Sequence, residues 1–289
     1  MFQKIIVLGI DGLEFNLVKK WGLENLKQKN YCKLDLSDYS VIVTPPIWGS
    51  MITGQVDKEV MRIWEKSSRI VGFKGEIKQN LVFKLFFKII YSPYLPLIRK
   101  LSTKVITNIN SSNPFDITAN YVNDKKLINV FQFFNNSWTN GIPGYGKNVS
   151  DSIKRDLLNG VISGDKKPFK DYTLKNYEKD KSDLLSIFEK NDIDLIFWYT
   201  QLLDNFGHMN ISNEVYLLNY YLEINKFVGK IKSICPNSYI YIISDHGMER
   251  AKEDWGVHSN HAFFSSNTGE LINKPVELYK LILKYSNKK

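Results

Sequence analysis

The stretch Tyr241–Arg250, YIISDHGMER, decides how this chain is read. The apolar run from Tyr239 to Ile243 has the length and make-up of a buried strand, and it stops abruptly at Ser244-Asp245-His246-Gly247. An Asp beside a His and before a Gly is either an ordinary turn or two metal ligands delivered at the edge of a sheet. The rest of the chain has to separate the two.

Upstream, Ile193–Thr200 (IDLIFWYT) is a second strongly buried strand type and leads into QLLDNFGHM. Glu214–Cys235 has the periodicity of a long amphipathic helix. Near the start of the chain, Lys4–Ile10 reads as a buried strand ending in Asp11-Gly12. Glu14–Lys29 reads as a helix with Leu17, Val18, Trp21, Leu23 and Leu26 on one face. Ser40–Val43 is expected to form a short strand running into Thr44-Pro45-Pro46, where a helix to Gly54 should begin, because proline suits a first helical turn. Ile128–Phe133 is expected as a strand and Ser182–Glu189 as a helix. This alternation predicts an α/β fold with a mostly parallel central sheet and helices on both faces, in a single domain spanning 1–289.

Residues 61–113 differ in texture. Asn80–Leu101, NLVFKLFFKIIYSPYLPLIRKL, is apolar and aromatic but carries Lys84 and Lys88 and is broken by Pro93 and Pro96. A pair of helices forming an insertion or lid over the core is the expectation, and a helix lying on a membrane surface is the alternative.

Hydrophobic residues make up 43% of the 289 and aromatics 13%, enough to build a core and to exclude a disordered chain. The net charge of +9 favours anionic partners, a small phosphate ester among them. No basic run interleaved with stacking aromatics marks a nucleic-acid groove. Cys32 and Cys235 lie far apart and in no CxxC arrangement, so the reducing cytoplasm is the expected compartment. The N-terminal MFQKIIVLGIDG lacks the long apolar region of a signal peptide and reads as a first strand.

Several candidate strands end in residues that bind cations. Asp11 follows the first, Thr44 follows the strand expected at 40–43, and Asp245-His246 follows the last. In open α/β sheets ligands bind beyond the carboxyl ends of the strands, so these residues should converge. All four histidines, His208, His246, His258 and His261, fall within one stretch that also holds Asp204 and Asp245. Asp204 and His208 are four apart, which puts them on one face of a helical turn. Imidazole and carboxylate are ordinary zinc ligands, three or four to an ion. The set Asp11, Thr44, Asp204, His208, Asp245, His246 and His258 suffices for two ions with the Thr hydroxyl as one ligand. Taken singly, each member is an ordinary cap, turn or surface pair; taken together at successive strand ends they point to a site.

The order GIDGLE, TPPIWGSMITG, DNFGH, SDHGM and GVHSNHAFFSSN, spread over residues 4 to about 268, resembles the alkaline phosphatase superfamily. The phosphodiesterase and nucleotide pyrophosphatase branch, especially its compact prokaryotic members, is the nearest in pattern. The resemblance implies an alkaline phosphatase-like catalytic domain and two divalent ions, zinc first and manganese or iron next. It also implies that Asp11, Thr44, Asp245 and His246 hold one ion, with Thr44 also the nucleophile. Asp204, His208 and His258 would hold the other, with His261 as the alternative to His258. The implied activity is hydrolysis of phosphodiesters, nucleotides or their pyrophosphates among them, through a phospho-threonine intermediate. Thr44, with Trp48 four residues on, is unlike the C/S-x-P-x-R of sulfatases, and no large inserted domain with a Ser nucleophile marks a phosphoglycerate mutase.

One departure stands out. Pro45 has no N–H, so the backbone donor that family members offer just after the nucleophile is missing, and another group has to replace it. The readings left open are a phosphomonoesterase, a phosphonate hydrolase, a transferase acting on a lipid-linked phosphate, and a non-catalytic protein that binds metal or an anion.

Overall fold

The computed structural model describes residues 4–70, 114–147, 164–190, 192–251 and 256–286, with Lys154, Leu157 and Val161 between them. Its main sheet contains β1 Ile5–Ile10, β2 Asn30–Asp35 and β3 Ser137–Thr139. After the two-residue strands β4 Ile142–Pro143 and β5 Gly146–Lys147 come β6 Leu195–Thr200 and β7 Tyr239–Ile243. β8 Met248–Arg250 and β9 Gly256–His258 form a separate antiparallel ribbon, and β10 His261–Ser266 returns to the main sheet. The order across that sheet is β2-β10-β7-β1-β6-β3. β3, β6, β1 and β7 run parallel, and β10 runs against both of its neighbours. The fold is α/β with a mostly parallel central sheet, as the alternation predicted.

Two apolar layers hold the sheet. One face of β1 turns Ile5 and Val7 toward Phe197, Tyr199, Tyr241 and Ile243, with Trp48 and Met51 from above. The other turns Ile6, Leu8 and Ile10 toward Ile196, Trp198, Ile240 and Ile242, covered by Leu217, Ile224 and Val228 of the helix Glu214–Ile234. Every residue of β1 and β6 is buried, which is why both read as unbroken apolar runs rather than alternating ones. Gly9 interrupts the first layer for a reason: a Cβ there would lie 2.9 Å from the Trp48 ring, so the missing side chain is the slot that the indole fills.

Three sequence expectations need correcting. Glu14–Lys29 is two short helices, α1 Phe15–Lys20 and α2 Glu24–Lys27, because Gly22 takes a φ of +61° between them. Ser40–Val43 joins no sheet. Val41, Ile42 and Val43 pack on the core as a loop, and the Ile42 carbonyl accepts from a histidine instead of a strand. Ile128–Phe133 contains a 3-10 turn over Val130–Phe133, started by the Asn129 side chain, which accepts from the Phe131 N–H. The helix expected at 182–189 is the end of a longer one, Lys167–Phe188.

The helix expected after Thr44 is present as α3 Thr44–Thr53, with all ten residues buried. Gly54 ends it at a φ of +73°, the left-handed cap that glycine favours. Of the region expected as a lid, residues 61–70 continue a helix that begins at Lys58 and buries Val60, Met61 and Trp64. Residues 71–113, including the possible membrane-surface segment 80–101, lie outside the described residues. No helix among the described residues is long and apolar enough to cross a membrane.

Candidate metal centre

Strand register sets the geometry. Ile10 is level with Thr200 across β1 and β6, and Gly9 is level with Ile243 across β1 and β7. The chain therefore leaves all three strands at one edge, carrying Asp11 from β1, Asp204 in the helix Leu202–Asn210 after β6, and Asp245-His246 after β7. Gly12 allows the close approach. Its φ is +72°, and a Cβ on it would sit 2.7 Å from the Asp204 Cα.

Asp204, His208 and His258 form one group of ligand atoms, and Asp11, Asp204 and His246 form a second. In the outer group His208 Nε2 lies 3.2 Å from Asp204 Oδ1, His258 Nε2 lies 3.6 Å from the same oxygen, and the two Nε2 atoms are 3.2 Å apart. In the inner group His246 Nε2 lies 3.3 Å from Asp11 Oδ1 and 3.2 Å from Asp245 Oδ2. The two halves touch: the His246 and His258 rings stack with centroids 3.6 Å apart.

The tautomers are fixed from behind. His208 Nδ1 is 2.8 Å from the Gly256 carbonyl, His258 Nδ1 is 3.0 Å from the Ile42 carbonyl, and His246 Nδ1 is 3.1 Å from the Gly247 carbonyl. A carbonyl only accepts, so each Nδ1 carries the hydrogen, and a neutral ring then turns an Nε2 lone pair inward. Lone pairs facing each other at 3.2 Å, beside carboxylate oxygens, need something positive between them. Asp11 Oδ1, Asp204 Oδ1, both Asp245 oxygens and His246 Nε2 are buried with no hydrogen-bond partner among the described residues. Buried polar groups are ordinarily paired, so a cluster of orphans marks a binding site.

A divalent ion fits this donor set. Metal–nitrogen distances of about 2.0–2.1 Å in a tetrahedron put neighbouring ligand atoms roughly 3.3 Å apart, which matches the separations in both groups. The charges agree. Burial and then the Asp204 carboxylate push Asp11 up to about 7, and burial and then Asp11 push Asp245 well above the usual carboxylate range. Burial acts the same way on Asp204, but His208 and His258 outweigh it and hold this carboxyl well below. His208 is raised because Asp204 outweighs its burial, whereas burial and the neighbouring His258 push His246 well below the usual histidine value.

Thr44 opens α3, nearly buried, two residues beyond the Ile42 carbonyl that holds His258. Pro45 and Pro46 take up the first turn, so of the first four helical residues only Thr44 and Ile47 own an N–H. His261 does not join either ligand group. Its Nε2 lies 3.1 Å from Glu14 Oε1, in a buried pair behind the SDHG turn.

Sequence reading missed three contributors. Glu14 accepts from the Asn16 and Met248 N–H groups besides facing His261, and so ties the loop after β1 to the turn after β7. Tyr199 donates its hydroxyl to Asp11 Oδ2 at 2.5 Å. Lys154, also buried, brings a positive charge close enough to His208 to oppose protonation there. A polar tip inside an apolar run, as Tyr199 has in LIFWYT, was the only one of these with a signal in the sequence.

No protein-family model and no curated protein matches the chain. In fold it is similar to the alkaline phosphatase from the Antarctic bacterium TAB5, at 15% identity and a TM-score of 0.40 over 99% of this chain and 98% of that one. A variant of that enzyme with magnesium bound is similar at 14% identity and a TM-score of 0.40, over all of both chains. An inactive form of murine ectonucleotide pyrophosphatase/phosphodiesterase 5 in complex with AMP is similar at 13% identity and a TM-score of 0.41. That likeness spans 87% of this chain and 59% of the murine one.

Proposed function

We propose that the chain is a metal-dependent hydrolase of phosphate esters, most suited to phosphodiesters, with Thr44 as nucleophile. The observation that carries this reading is the two sets of inward-facing ligand atoms spaced 3.2–3.6 Å apart at one sheet edge. Asp11, Asp245 and His246, with the Thr44 hydroxyl, would hold one ion. Asp204, His208 and His258 would hold the other, with Asp204 also within reach of Asp11 and His246. Bound there, two divalent ions supply what phosphoryl transfer needs: a more acidic hydroxyl, neutralised phosphoryl oxygens and a stabilised leaving group. Zinc is the ion expected first with nitrogen and oxygen ligands, before manganese or iron.

The protein's own part is positioning. Thr44 Oγ1 gives up its proton to solvent and attacks phosphorus, and the ester's alcohol leaves with its bonding electron pair and takes up a proton. Water then opens the phospho-threonine to regenerate the hydroxyl and release the phosphate product. Placing Thr44 at the first position of a fully buried helix fixes the line of attack and aims the positive end of the helix at the phosphate. The two prolines remove N–H groups that would otherwise bind a phosphoryl oxygen. A lost donor of that kind costs on the order of 10²–10³ in rate, so slow turnover is expected unless a side chain replaces it. Lys154 is the cation proposed to offset the phosphate charge.

Thr44→Ala should abolish turnover of bis(p-nitrophenyl) phosphate while metal stays bound. Full activity in that variant would remove Thr44 from the mechanism. Preference for p-nitrophenyl phosphate would move the reading to a monoesterase. A wild-type protein with bound metal and no turnover of either ester would favour the transferase or the non-catalytic binder.

A further inference from the structure

We infer that Tyr199 is a positioning residue for the inner ion: its hydroxyl locks the Asp11 carboxylate in the rotation that aims Oδ1 at His246. The inference rests on the two-ion reading above. Asp11 is fully buried, and its two oxygens have different surroundings. Oδ2 accepts from the Tyr199 hydroxyl at 2.5 Å, whereas Oδ1 has no hydrogen-bond partner among the described residues and lies 3.3 Å from His246 Nε2. One donor on one oxygen is enough to stop the carboxylate rotating, because turning it would bury a hydroxyl facing nothing. A carboxylate oxygen only accepts, so in this pair the phenol is the donor.

Tyr199 is in turn held from two sides. Where β3 stops at Thr139, the Asn140 side chain continues the pairing with β6. Its Oδ1 accepts from the Tyr199 N–H at 2.8 Å and its Nδ2 donates to the Tyr199 carbonyl at 2.8 Å, while Nδ2 also reaches Asp180 Oδ1 at 2.9 Å. On the ring side, Trp48 of α3 meets Tyr199 edge-on with centroids 5.2 Å apart. The same phenol therefore contacts the helix that begins with Thr44 and the carboxylate at the end of β1. Among the described residues Asp204 meets His208 and His258 instead, with no tyrosine hydroxyl on its carboxylate. The inner position is thus the one whose affinity should depend on this hydroxyl.

Zinc alone is the probe. Titrated against a chelator of known affinity, wild-type protein should take up two equivalents. Tyr199→Phe, which removes one oxygen, should bind one equivalent unchanged and the other about 10- to 100-fold more weakly, the usual effect of losing a hydrogen bond to a metal ligand. A purely structural role would shift the melting temperature of the chelated protein and leave the ratio of the two affinities alone. Should the phenylalanine variant not fold, Asn140→Ala loosens the same tyrosine from outside the site and should weaken the same equivalent, less strongly. Two equivalents bound as tightly as in wild type by a folded variant overturn the inference and leave the two-ion reading intact. Zinc uptake by neither protein overturns both.

Discussion

The two halves of the site are built from the same residue types and solvated differently. In the outer half the side chains of His208 and His258 are 26% and 22% exposed. In the inner half Asp11, Asp245 and His246 are 0% exposed. Two imidazoles outweigh burial and keep Asp204 ionised, whereas burial, reinforced by Asp204 at Asp11 and by Asp11 at Asp245, pushes both inner carboxyls toward the protonated form. The outer half is a ready cation site. The inner half stores unfavourable charge that a divalent ion relieves, so it depends more on exact placement. Among the described residues it is the inner carboxylate that a tyrosine holds.

The sharpest way to break this comparison is to remove the residue the halves share. Asp204 belongs to both ligand groups, so Asp204→Asn should reduce metal content from two equivalents to less than one and abolish ester hydrolysis. Retention of one full equivalent would mean that the halves are independent. His208→Ala and His246→Ala then test each half alone. Each should lose close to one equivalent by mass spectrometry, and an ion remaining in both halves of either variant would dissolve the distinction. A smaller effect is expected from Gly12→Ala. The methyl would meet the Asp204 backbone at 2.7 Å from a residue already at φ +72°, so strain of about 1–3 kcal/mol should appear as a lower melting temperature. Loss of both ions in that variant would show that the placement of Asp204 against β1, more than its charge, holds the halves together.

The sheet strands beside the site were legible because burial on both faces leaves an unbroken apolar run, as in IIVLGI and LIFWYT. The edge was not. β2, NYCKLD, is partly exposed over Asn30–Cys32, buries only Leu34 fully and carries Lys33 and Asp35, the charges that keep an edge strand from pairing further, so it has no apolar signature. Ser40–Val43 shows the converse. Its residues are strand formers, but the chain needs the Ile42 carbonyl for His258, a demand no local propensity records. Within the candidate site, the proposed ligands drew attention as a set, because each Asp or His alone is an ordinary cap or turn and only their shared place beyond the strand ends is specific. Their supports did not, because Tyr199 and Glu14 reach their partners across 188 and more than 230 residues of chain.

Glu14 gives the smallest and most specific test, because it supports both halves and belongs to neither. It joins the segment after Asp11, the turn after His246 and the strand after His258. Burial raises its pKa, but the hydrogen bond from His261 and those from the Asn16 and Met248 N–H groups outweigh that and lower it below the ordinary 4.5. A carboxyl depressed in the folded state adds stability that is present above the unfolded value and lost as pH falls through the folded one. Glu14→Gln should therefore cost about 1–3 kcal/mol in urea unfolding at pH 7, and the gap from wild type should close as pH drops from about 4.5 downward. A gap that stays constant through that range would show that Glu14 acts by shape alone. Unequal loss of the two zinc equivalents in Glu14→Gln would assign it to one half, whereas equal loss is what a common support of both predicts.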